Sequence, residues 1–590
     1  MRSRGMLVAL LVSSLLLALS PTASTEETSR VTIGLNGFEN NITPFTHSFG
    51  AFPNTHDLVH LVYDSLFWSQ ARDDPEPWLA ESAEPSEDYT TWTVSLRDDV
   101  TWHDGTPFTA DDVQFSMEYY VEHEADSGRY AHHVGDMPLY EDSEIIDDHT
   151  IRLDFAHPAG QFRIMPGADL PILPRHQWED VAEPGAFTEE LPVGTGPYRV
   201  AEIVSDQQYR FEANDDYFQG RPLVDELVMP IIQEPAAAFA ALQTGDVDYV
   251  SQNVPTELIE AFDRADDIEV LRGTIFQSIQ LYFNTPREPL DDPQLRKAIA
   301  LAIDREEIVE TVLLGNGEPG RDSYMHPESP WAIDEEIRQF DPDQARDLLD
   351  EAGYDQMNGD GIRLTPDGDP LAFTVLVSSF DPQGIRTSQI VAEQVSEVGI
   401  DLEVEALDPA TIGQRRRAPE PGQEADFDIR VGGLEAHAHV DPDALYYFFH
   451  TPGERGFGET QTSYANPEFD EIVVRAGESG DLDERRELLA EAQRILAEDV
   501  PMIVVMYPDG IWAHRTDGYA GWIADFGHSP LTKRSFLAEY AGTGVGEGPL
   551  GTGVEEAARQ PWVWVLVALL VIAVVVAAVF LRRRGADEYE

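Results

Sequence analysis

The chain has 590 residues, 42% of them hydrophobic, enough for several cores. It holds no cysteine, which excludes disulfides, thiolate metal sites, thiol nucleophiles and a lipid-modified N-terminal cysteine. Thirty-nine basic against 109 acidic residues give a net charge of −70, so nucleic acid and anionic lipid are excluded as natural partners. Such charge repels itself and is better tolerated where salt screens it; a halophile-like habitat and plain solubility both account for it.

Arg2 and Arg4 precede an apolar run from Met6 to Leu19, which reads as a secretory signal over residues 1–24, cleaved near Ala23 or Ser24. Val31 to Gly37 predicts a first strand running into the polar loop FENNITPF, and Asp57 to Phe67 has helical spacing at Leu58, Leu61, Val62 and Leu66. In WTVSLRDDVTWHDGTPFTADDVQFSMEYY (Trp92 to Tyr120), Trp92, Val94 and Leu96 alternate as in a strand. A turn follows at Gly105 and Pro107, then a helix capped by Thr109 with Asp111 and Asp112 in its first turn. Ile145 to Phe155 predicts a hairpin strand. Gly194, Gly196 and Pro197 make a turn before strands at Tyr198–Ile203 and Tyr209–Ala213.

Pro235 to Val250 predicts an Ala-rich helix, a Gly245 stop and a strand. Asp292 with Pro293, Asp304 with Glu307, and Asp341 with Pro342 and Gln344 each predict a capped helix start, with stops at Gly315 and Gly353. FTVLVSS and DLEVEAL flank a helix as an α/β unit, and DLDERRELLAEAQRILAEDVPMIVVMYP predicts a helix entering a buried strand. Ala541 to Gln560 is a Gly-rich linker. Trp562 to Leu581 is uncharged and about 30 Å long as a helix, with Arg582, Arg583 and Arg584 behind it. This predicts a transmembrane anchor with the last residues, 582–590, in the cytoplasm.

Tests for chemistry are mostly negative. The two lysines, Lys297 and Lys533, follow Arg296 and Thr532, so no P-loop is present and any ATPase is a separate subunit. GEGPLG (Gly546 to Gly551) lies in the linker with no strand before it. There is no H-E-x-x-H and no G-x-S-x-G, and among 109 acids a glycosidase-like carboxylate pair is expected by chance. No catalytic residue, cofactor or metal is therefore assigned. Asp355 to Pro370 misses the EF-hand spacing, since Met357 and Gly359 stand where ligands should be, and reads as a turn-rich hairpin. In Gly432 to His450 an extended backbone puts Glu435, His437, His439 and Asp441 on one face. They offer nitrogen and oxygen atoms to a polar ligand or a metal, or they belong to a solvated loop. Trp512 and Trp522 suit either packing or stacking on a ligand, and His132 and His133 read as surface residues.

Three blocks, Pro77 to Tyr120, Leu191 to Ile232 and Ser278 to Gly315, carry a resemblance in their wording and order. They resemble the family 5 extracellular solute-binding proteins, the peptide, oligosaccharide and nickel receptors of ABC importers. The resemblance implies an α/β two-lobe periplasmic-binding-protein-like (Venus-flytrap) fold with an extra inserted subdomain, beside the predicted C-terminal transmembrane helix. Lobe one would comprise residues 31–63, 185–283 and 505–540, with 64–184 inserted, and lobe two 284–504, the chain crossing near Phe283–Asn284 and Val504–Met506. It also implies that the first loop lines a cleft, so the expected ligand contacts are Glu39, Asn40, Phe276, Gln277, Gly433, Glu435, His437, His439 and Asp441. Dipeptide- and oligopeptide-binding relatives carry an Asp a few residues before the D-P pair that holds the ligand's α-ammonium. Here the position three before Asp441 is Ala438, with Glu435 as the substitute, and nickel-type relatives use histidine in this neighbourhood. The implied protein is a monomeric receptor on the outer face of the cell membrane. It would capture peptides first, with a nickel chelate or an oligosaccharide as the alternative cargo, by hinge closure and dock on ABC permease subunits served by a separate ATPase. A secreted α/β hydrolase is the rival class.

Overall fold

A computed structural model describes residues 29–39, 41–45, 55–68, 75–123, 139–188, 190–275, 277–322, 324–334, 338–416, 425–434, 444–451, 462–524 and 529–541. Two large mixed sheets dominate these residues. The first has seven strands in the order Ile268–Gly273, Gly510–Arg515, Tyr249–Val250, Arg30–Gly34, Glu226–Pro230, Gln208–Ala213 and Tyr198–Val204. Arg30–Gly34 is its centre and runs parallel to both of its neighbours. Side chains of Gly510–Arg515 alternate between two cores, Trp512 entering one and Ile511 and Ala513 the other, so the strand is apolar on both faces.

The second sheet has six strands in the order Gly317–Pro319, Met502–Pro508, Ser278–Phe283, Ile429–Leu434, Ala372–Ser378 and Asp401–Leu407. The same period of two divides its residues. Ile279, Leu281, Phe283, Ile503 and Val505 pack on one face, and Tyr282, Met502 and Val504 on the other. Helices Pro293–Leu301 and Pro382–Ser396 cover the first face, and Pro467–Glu478 and Leu482–Asp499 the second. The predicted starts carry their caps: carboxylates of Asp292, Asp304 and Asp341 accept from the backbone N–H groups of Gln294, Glu307 and Gln344 at 2.8, 3.0 and 2.9 Å. Gly353, at φ +92°, ends the third helix as expected.

A four-stranded antiparallel sheet, in the order Ala80–Pro85, Thr91–Leu96, Thr150–Phe155 and Tyr140–Asp147, forms a separate layer. Helix Ala110–Glu122 packs on it, and the Thr109 N–H donates to the Asp112 carboxylate at 3.0 Å in a capping box. Asp355 to Pro370 is a turn-rich segment with bridges Met357↔Arg363 and Leu364↔Pro370.

Sheet membership shifts two sequence expectations. Ser278–Phe283 and Met502–Pro508 both belong to the six-stranded sheet, so the chain passes between the large sheets at residues 274–277 and at Asp509 rather than at Phe283–Asn284 and Val504–Met506. The reason lies in strand pairing: Ser278–Phe283 is fully buried between two partners of the six-stranded sheet, so the chain has already crossed before this strand begins. The helix expected over 57–67 occupies Thr55–Val62, because Tyr63, Asp64 and Ser65 turn inward as buried, bonded groups. Among the described residues no helix is long and apolar enough to cross a membrane; the signal, linker residues 542–560 and the run 562–581 lie outside them.

Candidate functional site

From the seven-stranded sheet, strand Arg30–Gly34 delivers the loop that carries Glu39. Phe38 stacks on Tyr209 with centroids 5.1 Å apart. The Tyr209 hydroxyl accepts from the Glu39 N–H at 2.5 Å and donates to its carbonyl at 2.7 Å. Both backbone groups of Glu39 are thereby held by one neighbouring strand, which makes this loop a rigid platform. Burial pushes the Tyr209 hydroxyl far above its ordinary pKa, so it stays protonated and keeps donating.

From the six-stranded sheet come Gln277 and Gly433. Gln277 precedes the central strand, where Ser278 faces Leu434 and Ile279 faces Gly433. A Cβ on Gly433 would stand 2.7 Å from the Ser278 carbonyl oxygen, so the close pairing of these two strand ends requires glycine there. Sequence reasoning passed over Arg430 on the same strand. Its guanidinium is buried 4.1 Å above the Tyr282 ring and reaches Gly432, where a Cβ would lie 2.9 Å from Nη1. Burial pulls its pKa down to about 10, with Tyr282 opposing and Arg416 adding to the fall, so it remains a cation at neutral pH. Its only sequence signal is a charge inside an apolar strand, IRVGGL. Asn40, Phe276, Glu435, His437, His439 and Asp441 lie outside the described residues. Trp512 and Trp522 are core residues, Trp522 stacking on Tyr249 at 4.3 Å, and are unavailable to a ligand.

The two large sheets are joined near these residues. The Thr274 hydroxyl, on the connection between them, donates to the Glu328 carboxylate. On another side the four-stranded layer meets the loop between helices Pro467–Glu478 and Leu482–Asp499. A Cβ on Gly160 would come 2.2 Å from the Ser479 carbonyl oxygen, and one on Gly480 2.0 Å from the Tyr89 ring. Ile164 also packs against the core that these two helices form with the six-stranded sheet. The layers are therefore in van der Waals contact.

A second cluster lies on helix Thr55–Val62, where His56 and His60 stand four residues apart on one face. Their Nε2 atoms are 3.0 Å apart, and the Asp169 Oδ1 lies 3.3 Å from the first and 3.8 Å from the second. All three residues are buried, and they are the His/Asp group among the described residues whose atoms converge as metal ligands do. The histidine pair is legible as H-x-x-x-H on a predicted helix; Asp169, more than a hundred residues on, gives no local signal.

The model of a known family, "Bacterial extracellular solute-binding proteins, family 5 Middle", matches residues 74–457. The oligopeptide-binding protein AppA of Bacillus subtilis is 26% identical, the match covering 81% of this chain and 87% of that protein. NikZ from Campylobacter jejuni, solved in complex with Ni(L-His), superposes with a TM-score of 0.70 at 24% identity, over 83% of this chain and 95% of its own. The periplasmic oligopeptide-binding protein of Thermotoga maritima, solved with bound mannohexaose, gives 0.69 at 24% identity over 85% and 94%. The last two likenesses establish the fold.

Proposed function

Because the chain belongs to the family 5 bacterial extracellular solute-binding proteins, we propose that it captures peptides outside the cell and hands them to the permease of an ABC importer. The observation that carries this reading is the family match across residues 74–457, joined to the likeness of 81% of the chain to an oligopeptide-binding protein. The relatives bind rather than convert their ligands, and capture of this kind asks for no chemistry. One lobe is built on the seven-stranded sheet with the four-stranded layer inserted, the other on the six-stranded sheet, and they close about the connections at 274–277 and Asp509. Ligand contacts come from Glu39, Asn40, Phe276, Gln277, Gly433, Glu435, His437, His439 and Asp441, with Arg430 as a buried cation beside them.

The receptor is held outside the cell by residues 562–581, whose length and trailing arginines support an anchor, and it works as a monomer beside a separate ATPase. A nickel chelate is the second reading, favoured by His437 and His439 between Glu435 and Asp441.

Native mass spectrometry of the full chain, extracted from membranes in high salt, tests both readings at once. Co-purified peptides, lost on substitution of His437 and His439 together with Arg430, support peptide capture. A nickel complex lost in the same variants replaces peptide by chelate. An empty protein with no thermal shift across peptide, sugar and metal panels overturns the transport reading.

A further inference from the structure

We propose that His56, His60 and Asp169 form a resident binding site for one divalent metal ion of the zinc class. The inference rests on convergence. With separations of 3.0, 3.3 and 3.8 Å, the point equidistant from the two Nε2 atoms and Oδ1 lies about 2 Å from each, the length of zinc–imidazole and zinc–carboxylate bonds. Ligand atoms around a tetrahedral zinc are themselves about 3.3 Å apart. Two neutral imidazoles and one carboxylate also carry the single negative charge that suits a borderline divalent cation.

Hydrogen bonds among these three atoms alone do not account for the geometry. The one N–H that His56 can carry on Nε2 cannot be aimed at both the His60 Nε2 and the Asp169 oxygen, and His60 Nε2 at 3.8 Å is beyond hydrogen-bond reach of that oxygen. If His56 keeps no proton there, its lone pair faces a carboxylate. A metal ion satisfies all three lone pairs together.

The scaffold behind the ligands is fixed before any ion arrives. The histidines share one helix face, and the segment bearing Asp169 is tied to the end of that helix. Phe67 N–H donates to the Gly167 carbonyl at 2.8 Å, Ile172 N–H to the Asp64 carbonyl at 2.9 Å, and the Ser65 hydroxyl to the Ala168 carbonyl at 3.0 Å. The ion would thus clamp the helix that follows the first strand to the segment that closes the four-stranded layer. Because the three side chains are no more than 11% exposed, the ion is a structural resident rather than transported cargo. The site is separate in sequence from Glu435 to Asp441.

The test uses the full chain, freed of metal with a chelator in high salt and titrated with Co²⁺ as a spectroscopic probe. One Co²⁺ per chain should bind with the intense visible absorption of a tetrahedral site, and Zn²⁺ should displace it. His56→Gln, His60→Gln and Asp169→Asn should each weaken binding at least tenfold, whereas His132→Ala with His133→Ala should leave it unchanged. Absence of the band in the folded wild-type chain, or a band that survives His60→Gln, overturns the proposal. Where a variant fails to fold, X-ray absorption of the wild-type cobalt protein decides: two imidazoles and one carboxylate support the site, and any other protein ligand set overturns it.

Discussion

Lys533 is one of two lysines in a chain that otherwise uses arginine for its cations, and it is wholly buried. Its ammonium bonds the Asp64 carboxylate and the Tyr63 carbonyl, the latter at 3.2 Å, and sits 5.2 and 5.5 Å from the Trp68 and Trp78 rings. Asp64 is just as buried and accepts from Trp78 Nε1 at 2.7 Å, the Tyr217 hydroxyl at 3.1 Å and the Thr195 hydroxyl at 2.9 Å. Burial pushes the Lys533 pKa down and the Asp64 charge opposes the fall. Removing one partner leaves a desolvated charge, so Lys533→Met should cost about 3–5 kcal/mol. Adding Asp64→Asn to that variant should recover part of the loss. Urea unfolding at fixed high salt measures both, and a single variant within about 1 kcal/mol of wild type would show that the pair is dispensable.

At the scale of elements, two of the three distinctive sequence blocks meet at His103. The Gly194 N–H donates to its Nδ1 at 3.1 Å, and its Nε2 lies 2.9 Å from the Gly196 carbonyl, which fixes a neutral ring with the proton on Nε2. The same two glycines press on the end of helix Thr55–Val62: a Cβ on Gly194 would stand 1.8 Å from the Val62 carbonyl oxygen and one on Gly196 2.4 Å from that of Leu61. Burial lowers the His103 pKa to about 4, with the Gly196 bond and the Asp64 charge opposing. Above the ordinary value of 6.5 both folded and unfolded chains are neutral at this ring. Between 6.5 and about 4 the unfolded chain takes up a proton that the folded chain refuses, so stability falls as the pH drops and then levels. The full window is worth about 3 kcal/mol. His103→Gln should be less stable at neutral pH but show a shallower loss between pH 6.5 and 5, and equal slopes in the two unfolding series would rule this account out.

The blocks were legible because they are local: caps at Asp292, Asp304 and Asp341 and the alternation of Trp92, Val94 and Leu96 all appear where their spacing puts them. What joins them was not, since His103 meets Gly194 and His60 meets Asp169 across about ninety and a hundred residues through tertiary contact alone. The inter-sheet connections depart from their expected positions for the same reason, because an apolar strand does not announce which sheet will claim it. Of the candidate ligand contacts, Gln277 and Gly433 lie at the ends of paired strands, and Glu39 stands on a loop of the other sheet.

For the whole molecule the decisive question is what holds the two proposed lobes together once ligand is bound. The contact of Gly160 with Ser479 and of Gly480 with Tyr89 is made between the four-stranded layer and the helices of the six-stranded sheet, elements on opposite sides of the connections at 274–277 and Asp509. Neither glycine needs a positive φ, so it is proximity across this seam, rather than backbone conformation, that excludes a side chain. The two positions differ in what they meet. A methyl at 480 faces a tyrosine ring that can swing aside, whereas a methyl at 160 faces backbone and has no such relief. Gly160→Ala should therefore hold the seam apart more strongly than Gly480→Ala. If the contact belongs to the ligand-bound form, Gly160→Ala should weaken ligand at least tenfold, about 1.4 kcal/mol, and leave the unliganded chain as stable as wild type. Small-angle scattering should show ligand-induced contraction in wild type, less in Gly480→Ala and least in Gly160→Ala. A Gly160→Ala protein that contracts and binds like wild type would separate this seam from ligand capture, and one that unfolds without ligand would assign the contact to the resting fold.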